Sequence, residues 1–147
     1  MVIYLLRHGD AEPGEGDDAA RRLTAKGERQ ARAAGVALSA LEGSIDACLT
    51  SPRVRAVATA HLACGPFGLE PEIVPDLAGG TFDALALTAG RGNVLLVGHE
   101  PDFSAAVARL TGAHVKFKKG GLAVVDGSTL HALLRPRELA AIAAQNA

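Results

Sequence analysis

The chain predicts an α/β protein, a three-layer α/β/α sandwich around a mostly parallel central sheet with an antiparallel edge. Three observations carry that expectation. Apolar runs at Val2–Leu6, Ile45–Leu49 and Val94–Val97 have the composition of strands buried on both faces. Between them, segments with Ala, Leu and Val at helical spacing supply the crossovers that parallel strands require. Beyond Val115 the pattern changes to short, closely spaced runs joined by turn residues, as in antiparallel strands.

The elements follow in order. The first strand begins at Val2 and runs into Arg7-His8-Gly9, and Gly9 to Arg22, rich in Gly and Asp, is a loop. Thr24 to Leu41 carries a helical period with Thr24 as N-cap, although Gly27 stands where a capping box wants Glu or Gln. Ile45–Leu49 is the second strand. Ser51 then reads as an N-cap, Pro52 as the first helical position and Arg55 as a first-turn residue of a helix reaching about Ala63. A Pro- and Gly-rich connection at Gly65 to Pro71 leads to a short strand at Glu72–Val74, a weak helix around Phe82–Thr88, the strand at Val94, and a helix from Asp102 to Leu110. Val115–Phe117, Leu122–Asp126 and Thr129–Leu133 are expected as strands, the last two joined at Asp126-Gly127-Ser128. Pro136 opens a closing helix to about Ala144. With no linker, repeat or low-complexity tract, one domain spanning residues 1–147 is expected.

Composition narrows the function classes. At 147 residues, 48% of them hydrophobic, the chain can bury a core without a disulfide or a metal. Aromatic residues make up only 3% and Trp is absent, so that core is expected to be built of Ala, Leu and Val. A net charge of −1 provides no global field for nucleic acid or an anionic membrane, and neither is an expected partner. Cys48 and Cys64 lack CxxC spacing and read as buried thiols. The passage from Met1 straight into Val2-Ile3-Tyr4, with no long apolar run anywhere, gives a cytoplasmic expectation.

The residues that carry chemistry stand at strand ends, where ligands bind in open α/β sheets. Arg7-His8-Gly9 and Gly98-His99-Glu100-Pro101 each follow an apolar strand, so His8 and His99 are both delivered there. Arg55, in the first turn of a helix, adds a guanidinium to free backbone N–H groups and the helix dipole, all of which favour phosphate oxygens. Arg53 is its rival for that contact. Phosphate chemistry with His8 as the reacting group follows, and the cations that hold phosphate also oppose protonation of its imidazole. His61, His114 and His131 match no such junction and are expected in solvent or packing roles. A cation shared by His8 and His99 with Asp10 or Glu100 would be repelled by two arginines, so no metal and no cofactor is expected. Lys116, Lys118 and Lys119 are read as protecting a solvated strand edge, the alternative being a rim that attracts an acidic partner.

Taken together these motifs resemble the histidine phosphatase superfamily, with its phosphoglycerate mutase-like fold, and within it the short SixA-type phosphohistidine phosphatases. Arg7-His8-Gly9 is similar to the nucleophile signature, Leu23-Thr24-Ala25-Lys26-Gly27 to the helix entry, Ser51-Pro52 through Arg55 and Thr59-Ala60 to the second motif, and Gly98-His99 to the last. The resemblance implies that His8 attacks phosphorus, that Arg7 and Arg55 clamp the equatorial oxygens, that His99 donates to the transferred phosphoryl group, and that water hydrolyses the phosphohistidine. It also implies a monomer, without a lid insertion.

Larger members carry a glutamate acid in a lid, whereas Pro75–Thr81 stands here with no glutamate. Asp76 precedes the leucine instead of following it, and Asp10 and Asp18 are other candidates. An imidazole leaving group, with a reference pKa of about 6.5, needs little acid assistance, while an alkoxide needs a proton. The expected substrate is therefore phosphohistidine in a protein domain or a small phosphoramidate. The alternatives are a phosphomonoesterase for a sugar phosphate or nucleotide, and a non-catalytic phosphate-binding module. A mutase is least expected, because it needs a covering lid.

Overall fold

A computed structural model of the chain describes residues 1–41 and 44–146. Six strands form one sheet: β1 (Val2–Arg7), β2 (Ala47–Thr50), β3 (Glu72–Ile73), β4 (Val94–Gly98), β5 (Leu122–Asp126) and β6 (Thr129–Leu134). Their order is β3-β2-β4-β1-β5-β6. The β3–β2, β2–β4 and β4–β1 pairs are parallel, whereas β5 is antiparallel to both of its neighbours, so β5 alone runs against the rest. The expected parallel sheet with an antiparallel edge is thus the observed one.

Alternation along β1 sets the layers. Tyr4 and Leu6 face one core with residues of α1 (Ala25–Leu41), α2 (Val54–Cys64) and α5 (Pro136–Gln145), among them Ala34, Leu38, Ala56, Ala60 and Leu139. Ile3 and Leu5 face the other, with Phe103 and Val107 of α4 (Asp102–Thr111) and Ala84 of the short α3 (Ala84–Thr88). Every residue of β4 is buried because helices cover both faces of the sheet there. Alanine dominates the α1–α2 contact, as the composition predicts, and Cys48 and Cys64 are both buried in the same cluster. No helix among the described residues is long and apolar enough to cross a membrane.

Three local expectations are corrected. Val115–Phe117 forms no strand: it is a connection whose Phe117 lends its backbone to Arg7 and Glu100 instead of to a ladder. Helix α2 starts at Val54 with Arg53 at the cap position, so Pro52 lies outside the helix and Ser51 does not cap it. The Ser51 hydroxyl accepts from the Arg53 N–H at 3.1 Å, but its position is set by the site, described below. Finally, α3 is shorter than the Phe82–Thr88 pattern suggests, because Asp83 caps it by accepting from the Ala86 N–H at 3.1 Å. Thr24, by contrast, caps α1 as expected, accepting from the Gly27 N–H at 3.0 Å.

Candidate active site

Register brings the site together. β1 and β4 are parallel neighbours with Arg7 opposite Gly98, and β2 is aligned so that Thr50 lies opposite Val97. His8, Ser51 and His99 therefore emerge side by side at the carboxyl edge of three adjacent strands, tied there by His8 N–H to Gly98 O at 3.1 Å and Ser51 N–H to Val97 O at 3.0 Å. The two imidazoles are 5.2 Å apart between ring centroids, and both are buried.

The hydrogen bonds of His8 define its protonation. Its Nδ1 lies 2.7 Å from the Gly9 carbonyl oxygen, which can only accept, so Nδ1 carries the proton and Nε2 carries the lone pair. That lone pair faces the Arg55 Nε–H at 3.3 Å. Burial, then the cations of Arg55, Arg7 and Arg21, push the His8 pKa down to about 4 against the opposing pull of the Gly9 carbonyl. The imidazole is neutral at pH 7 chiefly because it is dry, with the arginines reinforcing the effect.

His99 is held by a different device. Its Nε2 is 2.7 Å from the Ser51 Oγ, and that hydroxyl already accepts from the Arg53 N–H. The arrangement that satisfies both the hydroxyl and Nε2 has the Ser51 O–H donating to Nε2, which leaves the ring proton on Nδ1. The Nδ1 atom is buried and has no hydrogen-bond partner among the described residues. Burial, His8 and the arginines Arg55 and Arg53 lower the His99 pKa to about 3.

A close backbone approach positions the nucleophile loop. A Cβ on Gly9 would lie 2.6 Å from the Gly27 carbonyl oxygen, and one on Gly27 would fall onto the Asp10 carbonyl, so neither position accommodates a side chain without displacing backbone. Thr59, in the second turn of α2, accepts from the Gly9 N–H at 3.1 Å and donates to the Arg55 carbonyl at 2.8 Å. It couples the helix that carries Arg55 to the loop that carries His8.

The arginines divide into two settings. Arg7 donates from Nη1 to Phe117 O at 2.8 Å, and its buried Nε has no partner among the described residues. Arg55 is almost wholly buried and donates to the Asp18 carbonyl at 2.8 Å and to the Asp18 carboxylate at 3.2 Å. Arg53 and Arg21 meet that same carboxylate, and the resulting hydrogen bonds from Arg21 and Arg55 hold the Asp18 pKa below its ordinary value. Asp18 therefore stays ionised and is a poor proton donor. Asp10 accepts from the Thr24 hydroxyl at 2.8 Å, and Asp76 lies exposed in the Pro75–Leu77 turn. His61, His114 and His131 are exposed and lie outside the site. Among the described residues, no three His, Cys, Asp or Glu side chains are grouped so as to hold a metal ion.

Residues 3–84 match the profile of the histidine phosphatase superfamily, branch 1. The chain belongs to that superfamily. It is 36% identical over 128 residues to a phosphohistidine phosphatase SixA homolog of Haemophilus influenzae, covering 76% of this chain and 78% of the relative. Among solved structures, the protein histidine phosphatase SixA complexed with tungstate superimposes with a TM-score of 0.81 at 26% identity, over 95% of this chain and 99% of that one. The alpha-ribazole phosphatase of Shigella flexneri shares the fold, with a TM-score of 0.71 at 21% identity over 92% and 97% of the two chains. The protein is a hydrolase with a phosphoglycerate mutase-like fold, in agreement with the motifs of its sequence.

What sequence reasoning missed is the company these residues keep. Ser51 was legible as a helix cap and a motif letter, yet it contacts His99, and Thr59 was a motif letter whose two hydrogen bonds appear only in three dimensions. Asp18 was one of several candidate acids; the fold makes it the shared counter-ion of three arginines.

Proposed function

We propose that the protein is a phosphohistidine phosphatase working through a covalent intermediate on His8. The observation that carries this reading is the pairing of a neutral imidazole, with its Nε2 lone pair beside Arg55, with an Asp18 carboxyl that its arginines hold in the ionised form. The Nε2 lone pair of His8 forms the new P–N bond while the substrate P–N bond breaks. The departing ring, protonated on its far nitrogen, leaves as neutral imidazole and needs no proton from this chain. Arg7 and Arg55 bind the three equatorial oxygens, and His99 donates to one of them through Nδ1–H, so that charge is met by fixed donors. Gly9 O keeps the proton on Nδ1 of the phosphorylated His8. Water then attacks phosphorus, its protons pass to the released phosphate, and His8 recovers its lone pair.

Turnover of a phosphohistidine-containing protein domain and a small phosphoramidate, beside p-nitrophenyl phosphate and an alkyl phosphate, tests the reading. P–N substrates are expected to be preferred, and His8→Ala to lose at least about 10⁴-fold on all of them. A preference for alkyl esters would overturn it in favour of a small-molecule phosphomonoesterase.

A further inference from the structure

A second cationic surface adjoins the nucleophile loop. Residues 117–121 wrap against it: the Gly120 N–H lies 3.1 Å from Arg7 O and 2.9 Å from His8 O, and the Arg7 N–H donates to Gly121 O at 2.9 Å. The turn they form presents Lys118 and Lys119, and the first turn of α1 presents Lys26 across from them. Between them lies a groove of about 310 Å³ lined by Arg7, Asp10, Lys26, Gln30, Lys118 and Lys119, with Pro136 at its end. The lysines therefore do not guard a strand edge, since no strand exists there; Lys116 alone of the cluster is outside the groove.

The charges in this groove are held against their own local preference. Lys26 sits in the first turn of α1, where the helix dipole favours an anion. Lys118 and Lys119 are sequence neighbours of like charge and face the same space. Only one carboxylate, that of Asp10, lies among them; it is 3.8 Å from Lys119 Nζ and already accepts from Thr24. Neither Lys26 nor Lys118 forms an ion pair among the described residues, in a chain whose net charge is −1. Four cations gathered beside the phosphoryl site, with one spent carboxylate, make a receptor for anions. Because Arg7 belongs to both surfaces, the groove and the phosphoryl site adjoin closely enough for one substrate to reach both.

We propose that this groove binds acidic side chains of a phosphoprotein substrate, next to its phosphohistidine. The proposal rests on the phosphohistidine reading for its substrate and on the groove for its chemistry. Its test uses two phosphohistidine peptides of one length, with Glu or Gln at the positions flanking the histidine, and the triple variant Lys26→Ser, Lys118→Ser, Lys119→Ser. For the unaltered protein the Glu peptide should have a KM about five- to tenfold lower at equal kcat, a ratio that shrinks toward one between about 0.05 and about 0.5 M NaCl. The triple variant should erase the difference and leave p-nitrophenyl phosphate kinetics unchanged. Equal KM values for the two peptides, or a difference that survives the triple variant, would overturn the proposal. The unphosphorylated peptides, used as inhibitors of p-nitrophenyl phosphate hydrolysis, separate the two readings. Lysine-dependent inhibition by the Glu peptide alone supports the groove even if P–N bonds prove poor substrates, and equal inhibition by both peptides counts against it.

Discussion

The two flanks of His8 carry similar numbers of cations around one carboxylate each, but pair them differently. On one side Arg21, Arg53 and Arg55 converge on Asp18, whose carboxylate meets all three. On the other, Arg7, Lys26, Lys118 and Lys119 share a single carboxylate already bonded to a threonine. A cation cluster whose every member meets a carboxylate of its own fold positions groups; one that leaves members without an ion pair recruits counter-ions from outside. The difference explains why Arg55 can be almost wholly buried while the lysines remain exposed.

The strongest way to break the comparison is within the paired flank. Arg55 and Arg53 both contact Asp18, but only Arg55 reaches His8 Nε2. Arg55→Ala is expected to lower kcat/KM on a phosphoramidate by about 10²- to 10³-fold, and Arg53→Ala by less than about fivefold, in steady-state kinetics. The reverse order would assign the phosphoryl contact to Arg53.

Acid stability follows from the dry histidines. Their folded pKa values, about 4 for His8 and about 3 for His99, lie below the unfolded value near 6.5. Between these limits the unfolded chain binds more protons, so stability is complete above pH 6.5 and falls as pH drops toward 4, by on the order of 3 kcal/mol for each histidine. Urea titrations from pH 7 to 4 should show this slope, and His8→Asn should flatten it. A slope unaltered by that substitution would place the acid sensitivity elsewhere.

A smaller effect is expected at Ser51. Ser51→Ala removes the hydroxyl that holds the proton of His99 on Nδ1, and kcat should fall about 10- to 100-fold while KM changes little. Nitrogen NMR of the imidazole should report a shift of the neutral ring toward the other tautomer, which a packing defect alone would not cause.

The mildest change sharpens the contrast by making the two flanks alike. Asp18→Asn removes the counter-ion of three arginines, and tungstate or vanadate should then bind about two- to fivefold more tightly at low salt. Phosphoramidate and ester turnover should both persist. Selective loss of ester turnover would instead identify Asp18 as a general acid.

Much of this architecture could be read from the chain because it depends on local pattern. Buried parallel strands must be continuous apolar runs, so Val2–Leu6 and Val94–Val97 announced themselves, and the histidines that follow them were marked as strand-end groups. Val115–Phe117 misled for the same reason: an apolar alternation is compatible with a strand, but the Phe117 carbonyl and N–H are taken by Arg7 and Glu100. Ser51 misled because a serine before a proline and a helix satisfies capping chemistry wherever its hydroxyl ends up pointing.

The sequence by itself determined the order of strands and helices, the family, and the residues His8, His99, Arg7 and Arg55 as the candidate centre, since period and motif spacing are properties of the chain. Only the tertiary structure decided how these groups are charged and paired. The β1–β4 register brings two histidines 91 positions apart within 5.2 Å, burial keeps both rings neutral, and side chains from the first loop, the first helix and the turn before β5 divide the surrounding cations into a paired flank and an open one. Desolvation and Coulomb interactions depend on distance and burial, and neither is encoded in the spacing of residues along a chain.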